Sequence, residues 1–206
     1  MARVSQEHLD ARRRQILDGA ALCFARNGFH ATSMQDVLKE VGLSAGAVYR
    51  YFRGKDELIE AIVAEVLDDI RSVFEAAGAQ SPPPPPHELI GEVFGNVLEL
   101  KPGFTDGAKS YYPRLMIQVW TETLRNDGLS SLIQEGYVGI RAAWVRVVEG
   151  YQKAGMMPSD VPADHVARTM IALAQGFAAQ YALFDDVDVE MLRNGLRVLV
   201  GMDLPS

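Results

Sequence analysis

The sequence predicts an all-α protein of about nine helices, and three observations support that prediction. Apolar residues recur at intervals of three and four along most of the 206-residue chain, which is the period of an amphipathic helix. Alternation of apolar and polar residues, the pattern of a half-buried strand, is nearly absent. Serine, aspartate, glycine and proline stand where the apolar stripes begin and end, as they do at helix termini.

The first helix is predicted over residues 5–27. It ends before Gly28, because glycine readily adopts the left-handed backbone that terminates a helix. Its apolar stripe comprises Ile16, Ala20, Cys23 and Phe24. Cys23 is interpreted as a buried small hydrophobe, and as the one cysteine of the chain it excludes an internal disulfide framework and a multi-cysteine metal site. A reducing compartment is therefore expected.

Two short helices follow. Ser33 and Asp36 have the spacing of a capping box, so a second helix is expected to begin after Ser33 and to end at Gly42. Ser44 can cap a third helix over residues 45–51. A helix of about eight residues, a turn with a glycine and a second short helix are typical of a helix-turn-helix, whose second helix enters the major groove of DNA.

A fourth helix is predicted over residues 56–77, and residues 78–87 then contain five consecutive prolines. Proline lacks the N–H that a helix needs, so this segment is expected to be a loop. Its PxxP pattern also occurs in SH3 ligands, but a stiff connector between helices is the favoured interpretation. The remaining helices are expected at 88–100, 109–126, 129–154, 163–184 and 187–201.

The charge of the chain is unevenly distributed. The whole sequence carries 20 Lys+Arg and 27 Asp+Glu, a formal net charge of -7. Residues 1–55 hold nine basic and five acidic residues, a balance of +4, which leaves -11 for the remainder. A basic segment on an acidic chain indicates that one end of the molecule meets nucleic acid.

Two segments bear on the cellular compartment. Residues 1–15 carry charges of both signs and no apolar run, so no secretory signal is expected. The longest uncharged stretch, residues 169–184, is shorter than the roughly 20 residues that span a bilayer. We therefore expect a cytoplasmic protein without a membrane segment.

The third predicted helix has a chemistry that suits DNA. Its leading face, the Ala-Gly-Ala of residues 45–47, carries almost no side chain, so the backbone can approach base edges closely. Tyr49 and Tyr51 supply phenols that suit phosphates, and Arg50 between them supplies a guanidinium that suits guanine. Lys55 follows at the start of the next helix.

Residues 10–60 resemble the TetR family of bacterial transcriptional regulators. The resemblance is carried by Phe29-His30-Ala31-Thr32-Ser33, Val41-Gly42-Leu43-Ser44-Ala45-Gly46, Val48-Tyr49-Arg50-Tyr51-Phe52 and Lys55-Asp56-Glu57-Leu58. It implies a DNA-binding domain over residues 1–55 and a ligand-binding and dimerisation domain over residues 56–206. Residues 56–77 would then form the connecting helix, followed by the proline-rich loop 78–87.

The resemblance also implies roles for single residues. Phosphate contacts are expected at Ser33, Ser44, Tyr49, Tyr51 and Lys55. Groove-facing positions are expected at Gln35, Ala45, Gly46, Ala47 and Arg50. The sequence departs from the family pattern at Leu38 and Val41, where alanine is often found, and at Ala47, where many members carry a hydroxyl.

Simpler interpretations of these residues stay open. Tyr49 could be a packing residue, Arg50 a solvated surface residue, and Gly46 a response to helix crowding. Residues 42–46 also match the G-x-S-x-G nucleophile elbow of α/β-hydrolases, with Ser44 as the nucleophile. That elbow needs a strand before the serine, whereas the preceding residues are charged and helical in period, so an enzyme is disfavoured and no catalytic residue is assigned.

Metal binding is not predicted either. The four histidines stand at positions 8, 30, 87 and 165, without the spacing of metal ligands. We expect no metal and no cofactor.

Large apolar side chains in the 56–206 domain indicate either a ligand pocket between helices or an ordinary core. They are Tyr112, Met116, Trp120, Tyr137, Trp144, Met170, Phe177 and Tyr181. Polar groups for such a pocket are available at Asp106, Arg114, Gln118 and Arg141. A pocket of this kind predicts a small apolar or amphipathic effector.

The last two predicted helices have faces that suit a symmetric pairing of two copies. These faces comprise Ala172, Gly176 and Ala179 on one helix and Leu192, Leu196 and Leu199 on the other. The family resemblance implies that these two helices form the dimer interface. Two recognition helices spaced by about one turn of DNA, ~34 Å, read a palindrome. We therefore expect a homodimeric repressor that leaves its double-stranded operator when the effector binds; a helical ligand-binding module without gene control is the alternative.

Overall fold

The computed structural model describes residues 6–99, 105–106, 109–110, 112–184 and 186–201. Within these ranges the chain forms nine helices and one antiparallel pair of two-residue strands, which confirms the predicted all-α class. None of these helices combines the length and the apolar character needed to cross a membrane. The elements are α1 Gln6–Asn27, α2 Met34–Val41, α3 Ala45–Tyr49, α4 Lys55–Gly78, α5 Pro86–Glu99, β1 Thr105–Asp106, β2 Lys109–Ser110, α6 Tyr112–Glu122, α7 Asp127–Lys153, α8 Ala163–Leu183 and α9 Val189–Val200.

The chain divides into two compact units. The first comprises residues within 1–65 and 101–129, and the second comprises residues within 66–100 and 130–206. The first unit therefore contains α6 together with α1, α2 and α3. The predicted boundary between residues 55 and 56 concerns function, and it stays a prediction.

In the first unit, α1 packs closely against α2. Ile16 and Phe24 of α1 and Val37 of α2 are buried in its core. Gly19 lies directly against Val41, and a Cβ atom at position 19 would overlap the Val41 side chain. Val41, one of the departures from the family pattern, is thus accommodated because Gly19 has no side chain.

The predicted helix caps are present. The Ser33 hydroxyl oxygen accepts the Asp36 N–H at 3.2 Å, and the Asp36 carboxylate accepts the Ser33 N–H at 2.9 Å, which confirms the capping box. Gly42 ends α2 with a left-handed backbone at φ 66°. The Ser44 hydroxyl oxygen accepts the Ala47 N–H at 3.4 Å and caps α3.

The helix predicted over residues 109–126 is shorter than expected. Its first two residues form β2, and Pro113 then occupies the first turn of α6, where proline is tolerated. At the other end, the side-chain oxygen of Asn126 accepts the Leu129 N–H at 2.9 Å and caps α7. α7 therefore begins at Asp127, two residues before its predicted start.

Cys23 lies in the buried core of the first unit, as predicted. Burial raises the pKa of its thiol to about 11, and the negative charges of Glu40 and Asp36 act in the same direction. The protonated thiol is a poor nucleophile, so Cys23 serves as packing.

The core of the second unit is rich in aromatic residues. Trp144 is 1% exposed, and its ring centroid lies 4.6 Å from that of Phe74. Phe94 and Phe177 meet edge to face at 4.8 Å, and Tyr181 lies 6.0 Å from Phe177. Such pairs contribute stability beyond the apolar area that they bury.

The proline-rich connector between α4 and α5 is packed against the second unit. Pro83 and Pro85 are buried, and Gly150 of α7 lies directly against the Pro83 ring. The Tyr151 hydroxyl donates a hydrogen bond to the Pro84 carbonyl. An SH3 ligand needs accessible prolines, so the structure favours the connector interpretation.

α9 packs against α5, and this contact corrects one predicted interface residue. Leu196, predicted at the dimer interface, is 2% exposed and is therefore buried inside the protomer. One turn earlier on the same face, the Arg193 side chain lies across Gly91 of α5. Leu199, one turn after Leu196, is nevertheless 77% exposed, because it lies to one side of the face that packs against α5.

Candidate nucleic-acid interface

The N-terminal end of α3 is exposed, as the DNA-binding prediction requires. Ser44, Ala45 and Gly46 are exposed, and Ala47 is half-buried. A Cβ atom at Gly46 would meet no atom within 4 Å, so the helix-crowding interpretation of this glycine is wrong. The small residues leave the backbone accessible to a molecule outside the chain.

The C-terminal end of α3 presents one phenol and one guanidinium to solvent. α3 ends at Tyr49, two residues before its predicted end. The chain then forms a turn in which the Tyr51 N–H donates to the Val48 carbonyl at 2.9 Å. Tyr49 is 48% exposed, which contradicts its interpretation as a packing residue. Arg50 is exposed and Tyr51 is half-buried, while Val48 anchors the helix in the core.

α2 contributes a smaller exposed surface. Gln35, predicted to face the groove, is exposed. Ser33 is exposed too, and its hydroxyl donates to the Asp36 carboxylate at 2.6 Å. Lys39 is also exposed on this helix, and this basic residue in the last turn of α2 is a further surface charge that the family motifs do not include.

The nucleophile-elbow interpretation of Ser44 is contradicted. The element that precedes Ser44 is the helix α2, whereas the elbow requires a strand there. The Ser44 hydroxyl oxygen accepts the Ala47 N–H, which is the role of a helix cap.

The turn segment, residues 28–32, joins α1 to α2. Gly28 has φ 89°, which an L side chain rarely adopts. The buried Thr32 hydroxyl donates to the Gly28 carbonyl at 2.8 Å, and the Phe29 ring packs 5.3 Å from that of Phe24. The turn segment thus has a defined conformation immediately before the Ser33 cap.

Lys55, predicted as a phosphate contact, is bound to the turn segment. Its Nζ donates to the carbonyl of Phe29 at 2.9 Å and to that of His30 at 3.5 Å. It also lies 4.9 Å from the centroid of the Phe29 ring, a cation–π arrangement. Lys55 therefore stabilises the turn segment, and its phosphate contact stays a prediction.

α6 contacts the same turn segment from another direction. The side-chain oxygen of Gln118 accepts the Phe29 N–H at 3.1 Å. One turn later, Glu122 Oε2 lies 2.9 Å from His30 Nε2, and the Glu122 side chain is only 11% exposed. The sequence predicts Gln118 as a polar group of a ligand pocket, since nothing local in the sequence shows a partner 89 residues away.

A third contact links α1 with α4. Arg13 Nη1 lies 2.6 Å from Glu65 Oε1, and the Arg13 guanidinium carbon lies 5.5 Å from the centroid of the Phe52 ring. Phe52 follows the end of α3 and is buried. Arg13, which the sequence analysis left without a role, therefore helps to hold the chain after α3 in place.

The predicted ligand-binding residues do not lie in one unit. Met116 and Trp120 belong to the first unit and are half-buried. The second unit contains Tyr137 and Tyr181, which are half-buried, and Trp144, Met170 and Phe177, which are buried. The side chains of Tyr112 and Asp106 lie outside the described residues. Arg141 is paired with Asp164 at 3.3 Å, and Arg114 is exposed.

Comparison with known proteins identifies the family. Residues 16–62 match the profile of bacterial regulatory proteins of the tetR family, and residues 105–201 match that of the C-terminal region of BetI-type transcriptional repressors. The HTH-type transcriptional repressor Rv1474c of Mycobacterium tuberculosis is 41% identical over 187 residues, which cover 90% of this chain and 90% of that protein. The chain belongs to the TetR family. It is a transcriptional regulator with a DNA-binding helix-turn-helix.

Solved structures show the same fold as this TetR-family chain. GusR of Salmonella enterica is 25% identical, with a TM-score of 0.71, and the match covers 97% of this chain and 100% of GusR. A protein of Saccharomonospora viridis solved in complex with choline is 21% identical, with a TM-score of 0.72 and coverage of 93% and 96%. The helical fold after the helix-turn-helix is therefore also that of TetR-family regulators.

Proposed function

We propose that this TetR-family regulator is a cytoplasmic homodimeric repressor that binds a palindromic operator and leaves it when a small apolar or amphipathic effector binds. The observation that carries the proposal is the exposed α3. Gly46 gives the backbone room to approach DNA at one end of this helix, and Arg50 is exposed at the other. A short helix with these properties fits the major groove, where an arginine reads guanine.

The contacts to DNA divide into two kinds. Arg50 is assigned to a base edge, which carries sequence information. Ser33, Ser44, Tyr49, Tyr51 and Lys55 are assigned to phosphates, which position the protein without reading sequence. Gln35 and the small residues 45–47 face the groove. The net charge of +4 over residues 1–55 favours this placement on an anionic duplex.

The exposed apolar faces of α8 and α9 support the homodimer. Ala172 and Gly176 are exposed on α8, and Ala179 is half-buried. Large apolar side chains are also exposed on or beside these helices at Leu173, Leu183, Phe184, Met191, Val198 and Leu199. Exposed apolar side chains of this kind suit a two-fold interface, in which both copies contribute the same residues.

We assign the effector to the half-buried aromatic and methionine side chains that follow the helix-turn-helix, whereas the buried Trp144 belongs to the core. The Saccharomonospora viridis protein holds choline in the same fold, which supports a small-molecule site in this chain as well. An effector shifts the population of dimers only if it binds one conformation better than another. DNA release then follows by linkage, because the favoured conformation is the one that binds the operator weakly.

A gel-shift assay on DNA upstream of the chain's own gene tests the proposal. The wild-type protein is expected to shift this DNA at low salt, and a scrambled duplex of equal length only at higher protein concentration. If no DNA is shifted at low salt, the chain is a helical ligand-binding module without gene control, and the proposal is wrong.

Arg50→Ala and Lys55→Ala are expected to have different effects on DNA binding: the first on sequence preference, the second on affinity for any sequence. Arg50→Ala loses about 1–3 kcal/mol on the operator and relaxes the preference for one base pair, since a base contact is removed. Lys55→Ala weakens binding to operator and scrambled DNA alike, because a phosphate contact carries no sequence information. Titrations with four operators that differ only in the base pair at one position measure this preference in each variant. Equal losses on operator and scrambled DNA for both variants would contradict the division of roles.

A further inference from the structure

The turn segment, residues 28–32, is held by side chains from outside the helix-turn-helix. α1 ends at Asn27, so the Phe29 N–H lies beyond the hydrogen bonds of that helix. Its partner is the Gln118 side-chain oxygen of α6, at 3.1 Å. The Phe29 carbonyl, on the other side of the same residue, accepts from Lys55 of α4. The backbone N–H and the backbone carbonyl of Phe29 are thus both bound by side chains that are distant in sequence.

The position of the turn segment affects the placement of α2 and α3. It ends at Thr32, and the next residue, Ser33, is the cap that starts α2. α2 in turn leads through Gly42 into α3. A change in the path of the turn segment therefore changes the start of α2 and, with it, the placement of α3 in a groove.

We propose that Gln118 is a positioning residue for operator binding. Its side-chain oxygen fixes the Phe29 backbone, so α6 sets the point from which the helix-turn-helix begins. This inference rests on the proposed function, because it concerns binding to the operator. Glu122 supports the same role, since its largely buried carboxylate lies 2.9 Å from His30 on the turn segment.

The chemistry of the contact gives a selective test. The Phe29 N–H needs only an acceptor, so Gln118→Leu removes the hydrogen bond while Gln118→Glu retains an acceptor at the same reach. Ile117→Leu, at the neighbouring half-buried position of α6, controls for a change of apolar packing. Thr121→Glu, at an exposed position of α6, controls for the added negative charge.

Gln118→Leu is expected to weaken operator binding about three- to tenfold, the usual effect of one lost hydrogen bond to a partly buried group. Gln118→Glu is expected to bind as Thr121→Glu does, and Ile117→Leu as the wild type does. Operator titrations of the purified full-length chain at fixed salt measure these affinities. Hydrogen exchange at the Phe29 amide provides a second measurement: exchange is expected to be faster in Gln118→Leu than in Gln118→Glu.

The possible results are distinct. Equal operator affinity for Gln118→Leu and Ile117→Leu overturns the inference but leaves the proposed function intact. Loss of affinity in Gln118→Glu to the level of Gln118→Leu also overturns it, since the acceptor would then be irrelevant. If Gln118→Leu does not fold, Gln118→Glu provides the test. Operator affinity of Gln118→Glu below that of Thr121→Glu, or faster exchange of its Phe29 amide than in the wild type, then overturns the inference. Failure of the wild type to bind any DNA overturns the proposed function itself.

Discussion

Leu199→Glu is expected to yield monomers that bind the operator much more weakly than the wild type does. Leu199 is among the most exposed apolar side chains of α9, and in a two-fold interface one substitution places two carboxylates against apolar surface. Burying an unpaired charge costs more than such an interface gains from one leucine, so the dimer is expected to dissociate. A single short recognition helix then contacts one half-site, and specific affinity falls by about a hundredfold or more. Sedimentation of the variant and operator titration at fixed salt measure both effects.

Val138→Glu is the matched control for that experiment. Val138 is also exposed and lies in α7, outside the proposed interface helices. This variant carries the same added charge and is expected to remain dimeric and to bind the operator. A dimeric Leu199→Glu variant that binds the operator like wild type would show that the interface lies elsewhere.

Trp144→Ala is expected to lower the free energy of unfolding by about 3–5 kcal/mol, the range for deletion of a large buried aromatic side chain. The indole is almost fully buried and packs against the Phe74 ring at a tilt, so its removal leaves a cavity beside that ring. Urea unfolding followed by circular dichroism measures the change.

The second tryptophan of the chain provides the comparison. Trp120 is half-buried in the first unit, so Trp120→Ala deletes the same side chain with less loss of buried area. Its effect on the free energy of unfolding is expected to be smaller. Equal losses for the two variants would contradict the assignment of Trp144 to the core.

The start of the helix-turn-helix could be predicted because its signals are local. Ser33 and Asp36 are three residues apart, and the hydrogen bonds that cap α2 form between them whatever the rest of the chain does. Gly42 ends the same helix through its own backbone freedom. Asn126 carried a similar cap signal that the sequence analysis missed, and the predicted start of α7 was late for that reason.

The direction in which an apolar face points could not be predicted in the same way. Leu196 and Leu199 are three residues apart on one side of α9, and the sequence alone ranks them equally. Packing against α5 decides that Leu196 is internal and Leu199 exposed. The contacts of Gln118 and Lys55 with Phe29 escaped prediction for the same physical reason, because they join residues far apart in sequence.

The contact between Gly19 and Val41 is expected to couple substitutions at these two positions. The space between α1 and α2 admits the valine only while position 19 carries hydrogen in place of a methyl group. A relative with alanine at 41 has room that this chain lacks, and can accept a larger residue at 19. Substitutions at the two positions are therefore expected to occur in compensating pairs, one enlarging as the other shrinks.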